Sequence, residues 1–86
     1  AQVKDEARDI PGTYQMHSSE GEVIYVGKSK RLRTRLLSYF RAQYPKDKGA
    51  RILREAASLI WKPQPSEFAA LLEELRLIKK LRPRYN

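Results

Sequence analysis

Residues 23 to 41 read VIYVGKSKRLRTRLLSYFR, and the change of period inside this stretch decides the fold. Up to Gly27 it is rich in β-branched and aromatic side chains, which suit a pleated strand. From Ser29 or Lys30 onward Leu32, Leu36 and Phe40 recur at i, i+4 and i+8, the spacing of a helix face turned toward a sheet. Lys28, Arg31, Arg35 and Tyr39 form the adjacent stripe. The stretch holds six basic residues and no acidic one, so a strand ending at Gly27 feeds directly into positive charge.

Upstream, Pro11-Gly12 punctuates the entry to TYQMHS, where Tyr14 and Met16 alternate with polar neighbours, and SSEGE reads as a turn. Strands over 13–18 and 22–27 therefore make a hairpin. Downstream, AQYPKDKG breaks the first helix, and ARILREAAS supports a second through Ile52, Leu53, Ala56 and Ala57. LIWKP is a short third strand stopped by Pro63 and Pro65. Ser66 then caps a last helix that runs to about Leu81, where Pro83 ends it. The order ββααβα lacks a crossover between its first two strands. It predicts an α/β fold of the α+β kind, a small, largely antiparallel three-stranded sheet flanked by helices.

With 86 residues the chain is one domain, able to bury roughly 60 to 65 per cent of its unfolded surface. A polar lead over 1–9 precedes the domain over 10–86. There is no cysteine and one histidine, which excludes disulfides, thiolate metal sites and His-rich metal sites, so any metal is held by oxygen. No run approaches the roughly 18 apolar residues of a membrane span, and AQVKDEARDI has no signal-peptide core, so a cytoplasmic, nucleoid-associated protein is expected. The first residue is Ala rather than Met, which fits a processed chain or a piece of a longer protein.

Eighteen Lys and Arg against ten Asp and Glu give +8, and twelve of the eighteen lie in two acid-free stretches, residues 28–46 and 75–86. That pattern points to a polyanion, with nucleic acid ahead of an acidic membrane surface or protein partner. One acid is conspicuous. The i±3 and i±4 neighbours of Glu74 are Ala70, Leu71, Leu77 and Ile78, all apolar, so an acid stands among core residues and needs a partner. A buried ion pair to an arginine and a metal site are the two readings. Glu73 instead lies beside Arg76 and Ala69, at a solvent edge. On the hairpin, Gly27 permits close backbone approach, Lys28, Arg31 and Arg35 gather beside it, and Tyr14 joins Tyr25 if the register puts both on one face.

GTY at 12–14 and YVG at 25–27 resemble the two tripeptides that name the GIY-YIG nucleases. GEVIYVGKSKRLRTRLLSYF together with SEFAALLEELRLIKKLRPRYN is similar to the UvrC branch of that family, over residues 10–86. The resemblance implies a DNA endonuclease using one Mg²⁺ or Mn²⁺. By position, Tyr14, Tyr25, Lys28, Arg35, Tyr39 and Asn86 take the family's catalytic places, and Glu74 the metal-binding one. It further implies phosphate contacts from Lys28, Lys30, Arg31, Arg33, Arg35, Lys79, Lys80, Arg82 and Arg84. Incision on the 3′ side of a lesion in nucleotide excision repair, with a UvrB-like helicase partner reached through parts outside this chain, is the implied setting. Thr13, Glu73 and Ala69 depart from the family pattern, the last by removing the acid of a capping box with Ser66. A non-cleaving DNA-binding module on the same fold and a homing or restriction-type nuclease are the alternatives.

Overall fold

The computed structural model describes residues 6–39 and 48–86. Two strands, β1 (Gly12–His17) and β2 (Val23–Ser29), form the hairpin; α1 (Leu32–Tyr39), α2 (Lys48–Glu55), β3 (Ser58–Pro63) and α3 (Glu67–Leu81) follow. The order expected from the sequence is the order found. The hairpin turn closes with the Gly21 N–H donating to the Ser18 carbonyl at 3.0 Å. Gly21 has φ 84°, a left-handed conformation that glycine adopts without strain.

The sheet order is β2-β1-β3, and both pairings are antiparallel. Tyr14 pairs with Gly27 and with Trp61, and Met16 with Tyr25 and with Leu59, so these side chains share one face. On it lies the main core, Tyr14, Met16, Ile24, Leu32, Leu36 and Ile52, with Tyr25, Tyr39, Leu59 and Trp61 packed at its rim. Leu32 and Leu36 are fully buried, as their spacing predicts. Phe40, the third residue of that stripe, lies outside the described residues. The other face, carrying Thr13 and Val26, is covered by α3 through Ala70 and Leu77.

Two sequence expectations change. Pairing in β2 continues through Lys28 and Ser29, opposite Thr13 and Gly12, so α1 begins only at Leu32. Lys28 is therefore a strand residue and belongs to no helical stripe. The α3 surface also differs in part from the expected core face: Ala70 and Leu77 are buried but Leu71 is 36 % exposed, and Phe68, Leu72 and Leu75, outside that face, are 67 %, 51 % and 54 % exposed. Apolar spacing gave this helix more burial than one sheet face can supply, because only Ala70 and Leu77 point into the sheet.

The chain end closes the free edge of β2. The Tyr85 N–H donates to the Ile24 carbonyl at 2.9 Å. Asn86 accepts the Val26 N–H through Oδ1 at 2.9 Å and donates from Nδ2 to the Val26 carbonyl at 2.8 Å. The amide thus stands in for a paired strand and satisfies groups that an open edge would expose.

Candidate active site

Tyr14 lies under the cluster of phenols. Its register partner is Gly27, and a Cβ built on Gly27 would meet the Tyr14 ring and hydroxyl inside 3.0 Å. Glycine is needed here because the ring lies against its backbone. The Tyr14 hydroxyl is 2.8 Å from that of Tyr39, and the ring centroids are 5.9 Å apart, edge to face. The Tyr25 ring lies 6.1 Å from that of Tyr14. Tyr39 also hydrogen-bonds Tyr25. Three hydroxyls from β1, β2 and the end of α1 form one chain, Tyr14 to Tyr39 to Tyr25.

Burial pushes the Tyr14 phenol far above its ordinary range, with the neighbouring Tyr39 adding to the effect. Burial likewise raises Tyr39, to about 12. Both act as neutral donors at any physiological pH. The Arg35 guanidinium, on the exposed side of α1, opposes both shifts, which puts its charge within reach of the same hydroxyls.

Glu74 is half-buried rather than enclosed, which corrects the expectation of an acid surrounded by core. Among the described residues its carboxylate has no hydrogen bond or ion pair. The arginine-pair reading therefore finds no partner among the described residues, and Arg41 lies outside them. About 100° separates successive helical residues, so with Ala70 and Leu77 pointing inward, Glu73 and Glu74 flank them on opposite sides. Glu73 faces β3: it holds Arg76 by two bonds of 2.8 and 2.7 Å, and Lys62 adds to the lowering of its pKa. Glu74 falls on the β2 side. Two turns earlier on that side, Glu67 lines a small recess with Lys28, Ser29 and Lys30.

A half-buried carboxylate with no partner among the described residues, in a chain of net charge +8, suits a hard divalent cation whose remaining positions are filled by water and phosphate oxygen. No cluster of three or more acidic, His or Cys ligands exists among the described residues, so a site at Glu74 would rest on one protein carboxylate.

The profile of the UvrC-like GIY-YIG domain matches residues 10–86. The chain belongs to this family. The GIY-YIG N-terminal endonuclease domain of UvrC from Thermotoga maritima, solved with its catalytic divalent cation magnesium, is similar at 39 % identity and TM-score 0.86, covering 99 % of this chain and 96 % of that one. UvrABC system protein C of Cereibacter sphaeroides is 43 % identical over 76 residues, 88 % of this chain. That of Methanosphaera stadtmanae is 45 % identical over 84 residues, or 95 %. The GIY-YIG domain spans 12 % and 14 % of these two curated relatives.

Around this GIY-YIG site the basic residues divide into two kinds. Lys28, Lys30 and Arg35 are exposed and have no carboxylate partner among the described residues, and Lys30 and Arg35 line a groove along α1 with Ser29, Arg31, Thr34 and Ser38. Arg31, by contrast, is held by Asp9 at 3.0 Å. Arg84 lies between Glu55 at 3.3 Å and Glu22 at 3.8 Å, with its guanidinium over the Tyr85 ring. Lys79 and Lys80 close α3 and Arg82 caps it, at the end opposite the recess by Lys28 and Glu67. Sequence reading missed Asp9 and Ala7, which fall in the polar lead yet cap α1 and enter the core. No local pattern links position 9 to position 34.

Proposed function

We propose that this domain is a divalent-metal-dependent DNA endonuclease. The observation that carries the reading is a carboxylate, Glu74, without a partner among the described residues, in a domain whose phenols are hydrogen-bonded beside Arg35. The magnesium-bound Thermotoga domain of the same fold supports it.

Glu74 would hold one Mg²⁺ or Mn²⁺, which when bound supplies Lewis-acid stabilisation of phosphoryl and leaving-oxygen charge. The chain's own groups do the rest. As the phenolate, Tyr25 takes the proton of the attacking water and becomes the neutral phenol, and the hydrogen bond donated by Tyr39 stabilises the anionic oxygen before that transfer. Tyr14, kept neutral by burial, donates to Tyr39 and holds it in place. Arg35 meets charge developing on the phosphoryl oxygens. Asn86 acts indirectly, by holding β2 and therefore Tyr25 and Gly27. Lys28 and Lys30 contact phosphates without reading sequence.

For the whole protein we infer a UvrC-type role in the cytoplasm: incision on the 3′ side of a lesion in nucleotide excision repair, with a UvrB-like partner bound by parts outside this chain. The relatives that carry the domain as 12 to 14 % of their length are named as UvrABC components.

The test is plasmid nicking with Mg²⁺, Mn²⁺ and EDTA on wild type, Glu74→Gln and Glu73→Gln. Glu74→Gln should abolish nicking while the melting temperature in metal-free buffer stays level or rises slightly, since a half-buried charge is removed. Glu73→Gln, which loses a surface pair worth roughly 0 to 1 kcal/mol, should nick normally. Retained nicking in Glu74→Gln, or a large loss of its metal-free stability, would overturn the assignment. DNA binding without metal-dependent nicking by the wild type would favour the non-cleaving module.

A further inference from the structure

The first turn of α1 takes its acceptors from three separate places. Ser29 Oγ accepts the Arg31 N–H at 3.0 Å, and the Ile10 carbonyl accepts the Leu32 N–H at 3.0 Å. Asp9 Oδ1 accepts the Thr34 N–H at 2.8 Å. Its Oδ2 accepts the Thr34 hydroxyl at 2.9 Å and the Arg31 Nε–H at 3.0 Å. One carboxylate thus ties down the turn directly before Arg35 and sequesters a cation that lines the same groove as Lys30 and Arg35. Asp9 lies one residue outside the span that the family profile matches.

We propose that Asp9 is a positioning residue with two separable effects. It fixes the start of α1, and so the placement of Arg35 and Tyr39 against Tyr14 and Tyr25. It also withholds Arg31 from the substrate's phosphates. Helix ends leave their first amides without intrahelical partners, and a carboxylate satisfies them while complementing the positive end of the helix. When the carboxylate is removed, the first turn frays and the seated population of Arg35 falls. The same change releases one guanidinium at the groove.

This inference rests on the endonuclease reading for its first effect and on charge alone for its second, so two variants and two readouts separate them. Asp9→Ala should lower kcat for nicking about two- to thirtyfold, the range that the usual worth of a cap allows. Asp9→Asn keeps an acceptor for the Thr34 N–H and should recover most of kcat, as Asn caps about as well as Asp. Both variants free Arg31. Each should therefore bind duplex DNA more tightly in metal-free buffer, with the log-log salt slope steeper by about 0.9.

The opposite movement of kcat and affinity in Asp9→Ala is what a purely structural role would not produce. Wild-type kcat in Asp9→Ala, or Asp9→Asn as slow as Asp9→Ala, would overturn the positioning effect, and an unchanged salt slope in both variants would overturn the sequestration of Arg31. Were the wild type not to nick, the endonuclease reading alone would fail. Amide exchange at Thr34, faster in Asp9→Ala and slow in Asp9→Asn, would still decide the cap, and the salt slope the cation.

Discussion

Tyr14 occupies a position that no other residue type fills well, with its ring over Gly27, its hydroxyl on Tyr39 and almost no exposure at 2 %. Its neutrality is a stability statement as well as a chemical one. Folding raises the pKa of Tyr14 and, to about 12, that of Tyr39, above the ordinary 10.0 of the unfolded chain. A raised pKa means that the folded state holds its protons where the unfolded state has begun to lose them. The contribution is therefore complete below pH ~10 and is lost as pH rises through the folded value of Tyr39. Melting temperature measured from pH 8 to 12 should fall steeply above pH 10 in the wild type and less steeply in Tyr39→Phe. Equal slopes would show that the pair does not titrate as its burial requires.

At the scale of elements, α3 carries Glu74 into place, and its ends are well defined. Ser66 has extended φ and ψ and accepts the Ala69 N–H through its hydroxyl at 3.0 Å. Arg82 ends the helix in the left-handed region, φ 45°, donating its N–H to the Ile78 carbonyl at 2.8 Å. Position 69 carries no acid to answer Ser66, so the hydroxyl is the only half of a capping box present here. Ser66→Ala should destabilise the domain by about 1 kcal/mol in urea unfolding. Ala69→Glu, with Ser66 retained, should raise stability above that of the wild type by completing the box. A Ser66→Ala variant of wild-type stability would mean that sheet packing alone holds the first turn.

For the whole molecule, the charge that matters is the charge left over after the ion pairs. Arg31, Arg76 and Arg84 each face a carboxylate, whereas Lys28, Lys30 and Arg35 do not among the described residues. DNA affinity should fall with salt at a log-log slope of about −0.9 per neutralised phosphate. Lys30→Ala should weaken binding on unrelated sequences and flatten the slope by about one contact. Arg84→Ala should leave the slope nearly unchanged. A slope near zero in the wild type would rule out an electrostatic DNA site, and a strong effect of Lys30→Ala on a single sequence would mean base readout.

Much of this was legible in the chain because it depends on neighbours in sequence. The switch from a strand ending at Gly27 to the Leu32 and Leu36 spacing, the Ser66 cap, the Glu73 and Arg76 pair and the order of elements all follow from periods of two and 3.6 and from turn chemistry. What only the tertiary structure decided depends on residues far apart in the chain. Register between β1 and β2 brought Tyr14 over Gly27 and beside Tyr25; the packing of α1 brought Tyr39 to them. The single sheet face under α3 left Leu71 exposed and Glu74 half-buried, where apolar spacing alone implies a core. Asp9 reached Thr34 across 25 residues, a contact that loop closure and sheet pairing create and that no local pattern encodes.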